Sequence, residues 1–172
     1  MEKEEIFFKE LVTKNLITVV NNRLNLLNEI DLTTYGARAW AYTLQEIGKK
    51  KNEKFLFDLG YLMGGDAADE LLTVLKKKRD FIIKKLYDLT NIIQLTGFGI
   101  ITIKKENNKT KITIENNYTI IYAKELYGKD SKVCSFYAGV YSAFINKFEG
   151  KNIKLKQQSC ICKGDKKCIF TE

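Results

Sequence analysis

Apolar positions along the chain recur at helical spacing, then alternate, then return to helical spacing, and alternate again at the C-terminal end. Residues 4–15 (EEIFFKELVTKN) carry apolar side chains three and four apart, the mark of a short amphipathic helix. Residues 16–28 read as two short strands around Asn21-Asn22. Thr33 or Thr34 can cap a helix running through YGARAWAYTLQEIGKKK, and its closing lysines, Lys49 to Lys51, suit the negative end of the helix dipole. A second helix is predicted from near Asn52, with Phe55, Leu56, Leu59, Leu62 and Met63 on one face and Ala67, Ala68, Leu71, Leu72 and Leu75 continuing it. Gly60, Gly64 and Gly65 interrupt that face. A glycine inside a helix costs roughly 1 kcal/mol against alanine, so small residues four apart point to a neighbouring backbone that must come close. A third helix is expected over Arg79–Leu95, ending at Gly97.

From Phe98 the period changes to two. Phe98–Ile103 predicts a strand, Glu106–Lys109 a turn, and Lys111–Glu115 the hairpin partner. Tyr118–Tyr122 reads as a third strand or a connection. Lys132–Phe148 (KVCSFYAGVYSAFINKF) returns to helical spacing and stops at Gly150. A strand over Asn152–Cys160, a tight Lys-Gly-Asp turn at 163–165 and a last strand over Lys167–Thr171 close the chain. Helices, hairpin, helix, hairpin is the order of an α+β fold, helices packed on an antiparallel sheet with a C-terminal β-hairpin, and not of alternating βαβ units.

The 172 residues, 45% hydrophobic, suffice for one domain with one core. Proline is absent, so no proline-rich linker divides the chain. Histidine is absent as well, which removes the Ser-His-Asp triad, the Cys-His pair, and histidine as metal ligand or proton shuttle. The charged start, Met1-Glu2-Lys3-Glu4-Glu5, lacks the apolar stretch of a secretory signal, and no apolar run approaches a membrane span of about 18 residues. We therefore expect a cytoplasmic protein, where clustered cysteines hold metal or do redox work more often than they form structural disulfides. The net charge of +8 raises the question of nucleic acid. Of the 29 basic residues only Arg23, Arg38 and Arg79 are arginines, the better readers of bases and phosphates, and the lysines are spread over the whole chain. A solvated cationic surface is the better reading. No dinucleotide or Walker pattern is present, so no nucleotide cofactor is expected.

The chemistry lies in four cysteines, Cys134, Cys160, Cys162 and Cys168. Cys134 falls at the start of a predicted helix, where a thiol is more readily ionised, and the other three fall on the last hairpin. Zinc is held by four ligands in a tetrahedron, which puts thiolate sulfurs about 3.8 Å apart. Cys160 and Cys162 would share a face if the strand were straight, but would then lie about 6.6 Å apart; they can share one metal only if the chain turns between them. Four thiolates around a divalent ion leave a net negative charge, and Lys132, Lys163, Lys166 and Lys167 are placed to offset it. Spacing favours a metal site, with inert buried thiols or a redox pair, Cys160 with Cys162, as the alternatives.

Val133-Cys134-x4-Gly139, followed by Cys160-x3-Gly164-Asp165-x2-Cys168-x-Phe170, resembles the signature of the vinyl-4-reductase-type domain family. Tyr35-Gly36-Ala37 and Gly60-x3-Gly64 fit the same style, so the resemblance covers about residues 23–171. On this basis residues 1–22 form an N-terminal segment and 23–172 the domain proper. The family includes a bacteriochlorophyll-biosynthesis protein, sensor domains of aromatic-hydrocarbon-responsive transcription activators and stand-alone archaeal proteins. Its fold is shared with NO-signalling and Golgi-transport ligand-binding domains, among them eukaryotic vesicle-tethering subunits and haem-based NO sensors.

The resemblance implies a homodimer with an internal pocket for a small hydrophobic molecule and a structural zinc. The family's zinc ligands are a helix Cys, a Glu three residues before the next Cys, and two hairpin Cys. They fall here on Cys134, Gln157, Cys160 and Cys168. Gln157 departs from the pattern, and the extra Cys162 can take the place of the missing carboxylate. Without histidine, neither haem ligation nor the family's histidine route to phenols is open. Pocket candidates are Trp40, Phe55, Tyr61, Phe98, Phe136 and Tyr141, with Tyr61 or Tyr141 available to orient a ligand. The reading is a zinc-stabilised, non-catalytic sensor or ligand-binding domain. The alternatives are a protein-interaction scaffold like the tethering subunits, or an accessory protein or thiol redox enzyme of tetrapyrrole-type metabolism.

Overall fold

The structure is a computed structural model that describes residues 13, 17–20, 23–26, 30–32, 36–77, 90, 98–106 and 109–172. Three short strands, β1 (Ile17–Val20), β2 (Arg23–Leu26) and β3 (Ile30–Leu32), form an antiparallel meander. The expected pair about Asn21-Asn22 is present as β1 and β2, with Val20 opposite Arg23. The predicted boundary at residues 22/23 lies between these paired strands. β3, which the sequence pattern did not indicate, adds to the other edge of β2.

Helices α1 (Ala37–Lys50) and α2 (Glu53–Lys77) follow. The N-cap of α1 is Gly36, not Thr33 or Thr34, and no side chain closes it. Asn52 begins α2 by accepting the Phe55 N–H on its Oδ1 at 2.8 Å, and the helix then runs through its glycines unbroken. The helix predicted over 4–15 lies almost wholly outside the described residues, as does that over 79–95. Strands β4 (Ile100–Glu106) and β5 (Lys109–Glu115) form the predicted hairpin, with Ile101, Ile103, Ile112 and Ile114 buried on one face.

Tyr118–Tyr122 is not a strand. It opens helix α3 (Tyr118–Tyr127), because Asn117 caps it: its Oδ1 accepts from Ile120 N at 3.0 Å while its Nδ2 donates to Phe98 O at 2.8 Å. One buried amide thus starts α3 and ties it to the entry of β4. Helix α4 (Val133–Glu149) ends at Gly150 in the left-handed conformation, φ 64°. Strands β6 (Lys156–Ser159) and β7 (Cys168–Thr171) complete a four-stranded antiparallel sheet of order β4-β5-β7-β6.

Helix α4 is the centre of the core, buried from Val133 to Ile145 with Ser135 alone half-exposed in that stretch. Its closest neighbour is α2, and the glycines explain why. A Cβ on Gly60 would stand 2.0 Å from Phe136 O, one on Gly64 2.7 Å from Val140 O, and one on Gly139 2.0 Å from Phe57 O. The two backbones touch directly, as the spacing of small residues implied. This shifts the buried stripe of α2 away from the predicted face: Leu56, Gly60, Gly64, Ala68, Leu71 and Val74 are inside, while Phe55, Leu62 and Met63 are exposed.

Candidate metal and ligand site

The four cysteines come together although they belong to separate elements. Cys134 lies in the first turn of α4. The start of α4 is fixed by Gln45 of α1, a buried amide that donates to Asp130 O at 3.0 Å and accepts from Lys132 N at 2.9 Å. Beyond β6 the chain turns through a short 3₁₀ segment, Ile161–Lys163, with Gly164 at φ 101°. Asp165 closes the loop by accepting Cys160 N on Oδ2 at 2.7 Å, and the Cys160 carbonyl accepts from Lys163 N and Asp165 N. This is the turn that the Cys160-x-Cys162 pair required. Cys168 begins β7, opposite Ile114.

The Cys134 and Cys160 sulfurs are 3.1 Å apart, Cys134 and Cys168 3.8 Å, and Cys160 and Cys168 3.9 Å. Cys162 joins from the 3₁₀ turn, its Sγ within 4.8 Å of those of Cys134 and Cys160 and 3.7 Å from Ile120 O. All four thiols are buried. Gln157 sits in β6 opposite Phe170, half-buried.

The electrostatics follow from crowding four acids into one apolar corner. Cys160 is the sulfur at which the others point: hydrogen bonds from Cys134, then Cys162 and Cys168, hold its thiol far below the ordinary value. Cys134 is pushed well up, first by its bond to Cys160. Cys162 and Cys168 are drawn down by Cys134 but raised more by Cys160 and burial together, to about 11 and about 12. Of the four, Cys160 is the thiol favoured to ionise first. A soft divalent cation is the species that would let all four become thiolates. Two of the separations, 3.8 and 3.9 Å, match the spacing of sulfurs that share one tetrahedral metal, whereas Cys134 and Cys160 at 3.1 Å lie closer than that.

The aromatic candidates divide into two groups. Phe136 and Tyr141 are buried on α4, and Trp40 and Phe98 are half-buried against that helix. Trp40 meets Phe136 edge-on at 5.7 Å, Phe136 meets Tyr137 at 5.5 Å, Phe98 meets Tyr137 at 5.8 Å, and Tyr141 stacks on Tyr137 at 6.4 Å. The hub of this cluster, Tyr137, was not among the sequence candidates. Its signal was available, since it stands one turn after Cys134 and one turn before Tyr141. Burial raises its phenol to about 12, against hydrogen bonds with Thr119 and Asn117 that lower it. Phe55 and Tyr61 lie elsewhere, on the exposed side of α2, where Tyr61 Oη accepts from Asn146 Nδ2 at 3.1 Å.

No protein-family model and no curated protein matches the sequence. Solved structures do match. One is the phenol-responsive sensory domain of the transcription activator PoxR with phenol, at a TM-score of 0.66 and 12% identity, covering 99% of this chain and 90% of that one. The fold is shared. A second is a vinyl-4-reductase family protein from Methanocaldococcus jannaschii, at a TM-score of 0.52 and 19% identity, covering 77% of this chain and 75% of that one. The α+β architecture expected from the sequence is therefore present, and its fold is shared with a protein of the family that the motifs resemble. Among the described residues no helix is long and apolar enough to cross a membrane.

Proposed function

We propose that this chain is a non-catalytic sensory or carrier domain that binds a small hydrophobic molecule, with its C-terminal hairpin fastened to α4 by a structural zinc on Cys134, Cys160, Cys162 and Cys168. The observation that carries the metal half is the convergence of four buried thiols from α4, the 3₁₀ turn and β7. The ligand half is supported by the fold shared, over nearly the whole chain, with a sensory domain whose structure holds phenol. Bound there, the metal would supply cross-linking and not chemistry, because protein ligands fill every position. A thiol redox role is disfavoured by the same burial, since a redox thiolate must be reached by its substrate.

The homodimer belongs to this proposal. Phe55, Leu62 and Met63 expose 44%, 70% and 44% of their surfaces along α2 and offer apolar area for it. Native mass spectrometry of protein purified without chelator reads metal, ligand and assembly together. One zinc per chain in a dimeric ion, with retained small-molecule mass, is the expected result. A metal-free monomer with four freely titrating thiols overturns the zinc and dimer assignments. A zinc-loaded protein that binds no aromatic probe and captures a protein partner instead favours the scaffold alternative.

A further inference from the structure

Along α4 the polar side chains of Tyr137, Ser142 and Asn146 have partners, whereas the Tyr141 hydroxyl has none among the described residues. The Tyr137 phenol interacts with Thr119 and Asn117. Ser142 donates to Ala138 O at 2.6 Å and accepts from Leu155 N at 2.9 Å. Asn146 takes Ile153 by both ends, accepting its N–H at 2.7 Å and donating to its carbonyl at 3.0 Å. Tyr141 is 2% exposed, yet its Oη has no hydrogen-bond partner among the described residues. Its ring stacks on Tyr137 in the aromatic cluster. A buried hydroxyl without a partner is rare in folded proteins and marks a site where something else completes the bond.

We propose that Tyr141 Oη is the polar anchor of the binding site, donating its hydrogen to a ligand that is otherwise apolar and carries one neutral acceptor oxygen, such as an aryl ketone. This rests on the small-molecule reading above and specifies the ligand class for it. Tyr61, the other tyrosine available for the role, is set aside by its position on the exposed side of α2. The anchor chooses a neutral ligand. Burial holds the Tyr141 phenol well above its ordinary value, so it stays a protonated donor. An anionic ligand would also have to shed its hydration in an apolar core. The rings of Tyr137, Phe136 and Phe98 make the surroundings of this hydroxyl aromatic, which suits an apolar ligand body.

The test uses two probes of nearly one shape, acetophenone and α-methylstyrene, which differ in carrying C=O or C=CH₂. Each is titrated by calorimetry against the wild-type chain and Tyr141→Phe, with the thermal midpoint of each unliganded protein recorded. The wild type should prefer acetophenone about fivefold, the size of one net hydrogen bond. In Tyr141→Phe the preference should fall to near unity while α-methylstyrene binding is kept. The unliganded variant should be at least as stable as the wild type, because it has lost only an unpaired hydroxyl. A preference that survives in Tyr141→Phe, or a clear loss of stability there, shows that the hydroxyl is bonded within the protein and overturns the anchor. Equal binding of both probes by the wild type overturns the anchor and leaves the ligand-binding reading intact. Binding of neither probe by the wild type removes that reading, and the anchor with it.

Discussion

The middle and the first turn of α4 meet their neighbours in opposite ways. Along its middle, α4 meets α2 backbone to backbone, with Gly60, Gly64 and Gly139 leaving no room for a single added carbon. At its first turn, α4 meets the last hairpin through four sulfurs, with Asp165 and Gly164 shaping the loop that delivers two of them. The first contact is shape alone and works in any medium. The second is chemistry, and its strength depends on what occupies the sulfurs. A packed crossing fixes a helix pair by shape, whereas under the proposed zinc binding the attachment of the hairpin would depend on the metal.

The sharpest way to break this contrast is to remove the proposed zinc. With zinc a thousandfold above its dissociation constant, the bound ion would contribute ~4 kcal/mol to stability. Chelation or Cys134→Ala should therefore lower the thermal midpoint by many degrees, and added zinc should restore the chelated wild type but not the variant. If zinc moves neither, the corner is held by packing and the contrast fails.

Gly139→Ala is next. The new Cβ would meet Phe57 O at 2.0 Å and Tyr61 N at 2.7 Å, both backbone atoms that cannot swing aside. Overpacking of this kind costs about 3 kcal/mol, and the loss, measured by urea titration, should be the same with and without zinc. A zinc-dependent loss would show that the crossing and the corner are one cooperative unit.

Within the corner, Cys162→Ser should weaken zinc retention in competition with a chromogenic chelator by at least tenfold, and Gln157→Ala should change it by less than twofold. The reverse ranking would place the fourth ligand on β6. Within the crossing, Gly65→Ala is the mildest change. Its Cβ would find Ala143 Cβ at an ordinary 4.0 Å, and alanine is the better helix former by about 1 kcal/mol. The variant should be more stable by about that amount in the same urea titration. Destabilisation would mean that α4 stands closer to Gly65 than this 4.0 Å contact implies.

The sequence by itself settled the α+β order, the β4–β5 hairpin, and the extents of α2 and α4. Each rests on local information: a period of 3.6 or 2, or a stop such as Gly150. It also foretold that the glycines of α2 serve a close approach, because their helical cost has no local reward. Three matters were decided only by tertiary structure. Tyr118–Tyr122 became helix because the Asn117 side chain reaches Phe98 across 19 residues and caps it, a partner that the local pattern cannot show. The buried face of α2 turned from Phe55, Leu62 and Met63 to the glycine stripe, since contact with the backbone of α4 outweighed the burial of larger side chains. And the gathering of Cys134 with Cys160, Cys162 and Cys168, with the Tyr141 hydroxyl a short way along the same helix left without a hydrogen bond among the described residues, came from where the sheet and α4 meet. Distances between residues far apart in sequence are set by packing, and periodicity carries no information about them.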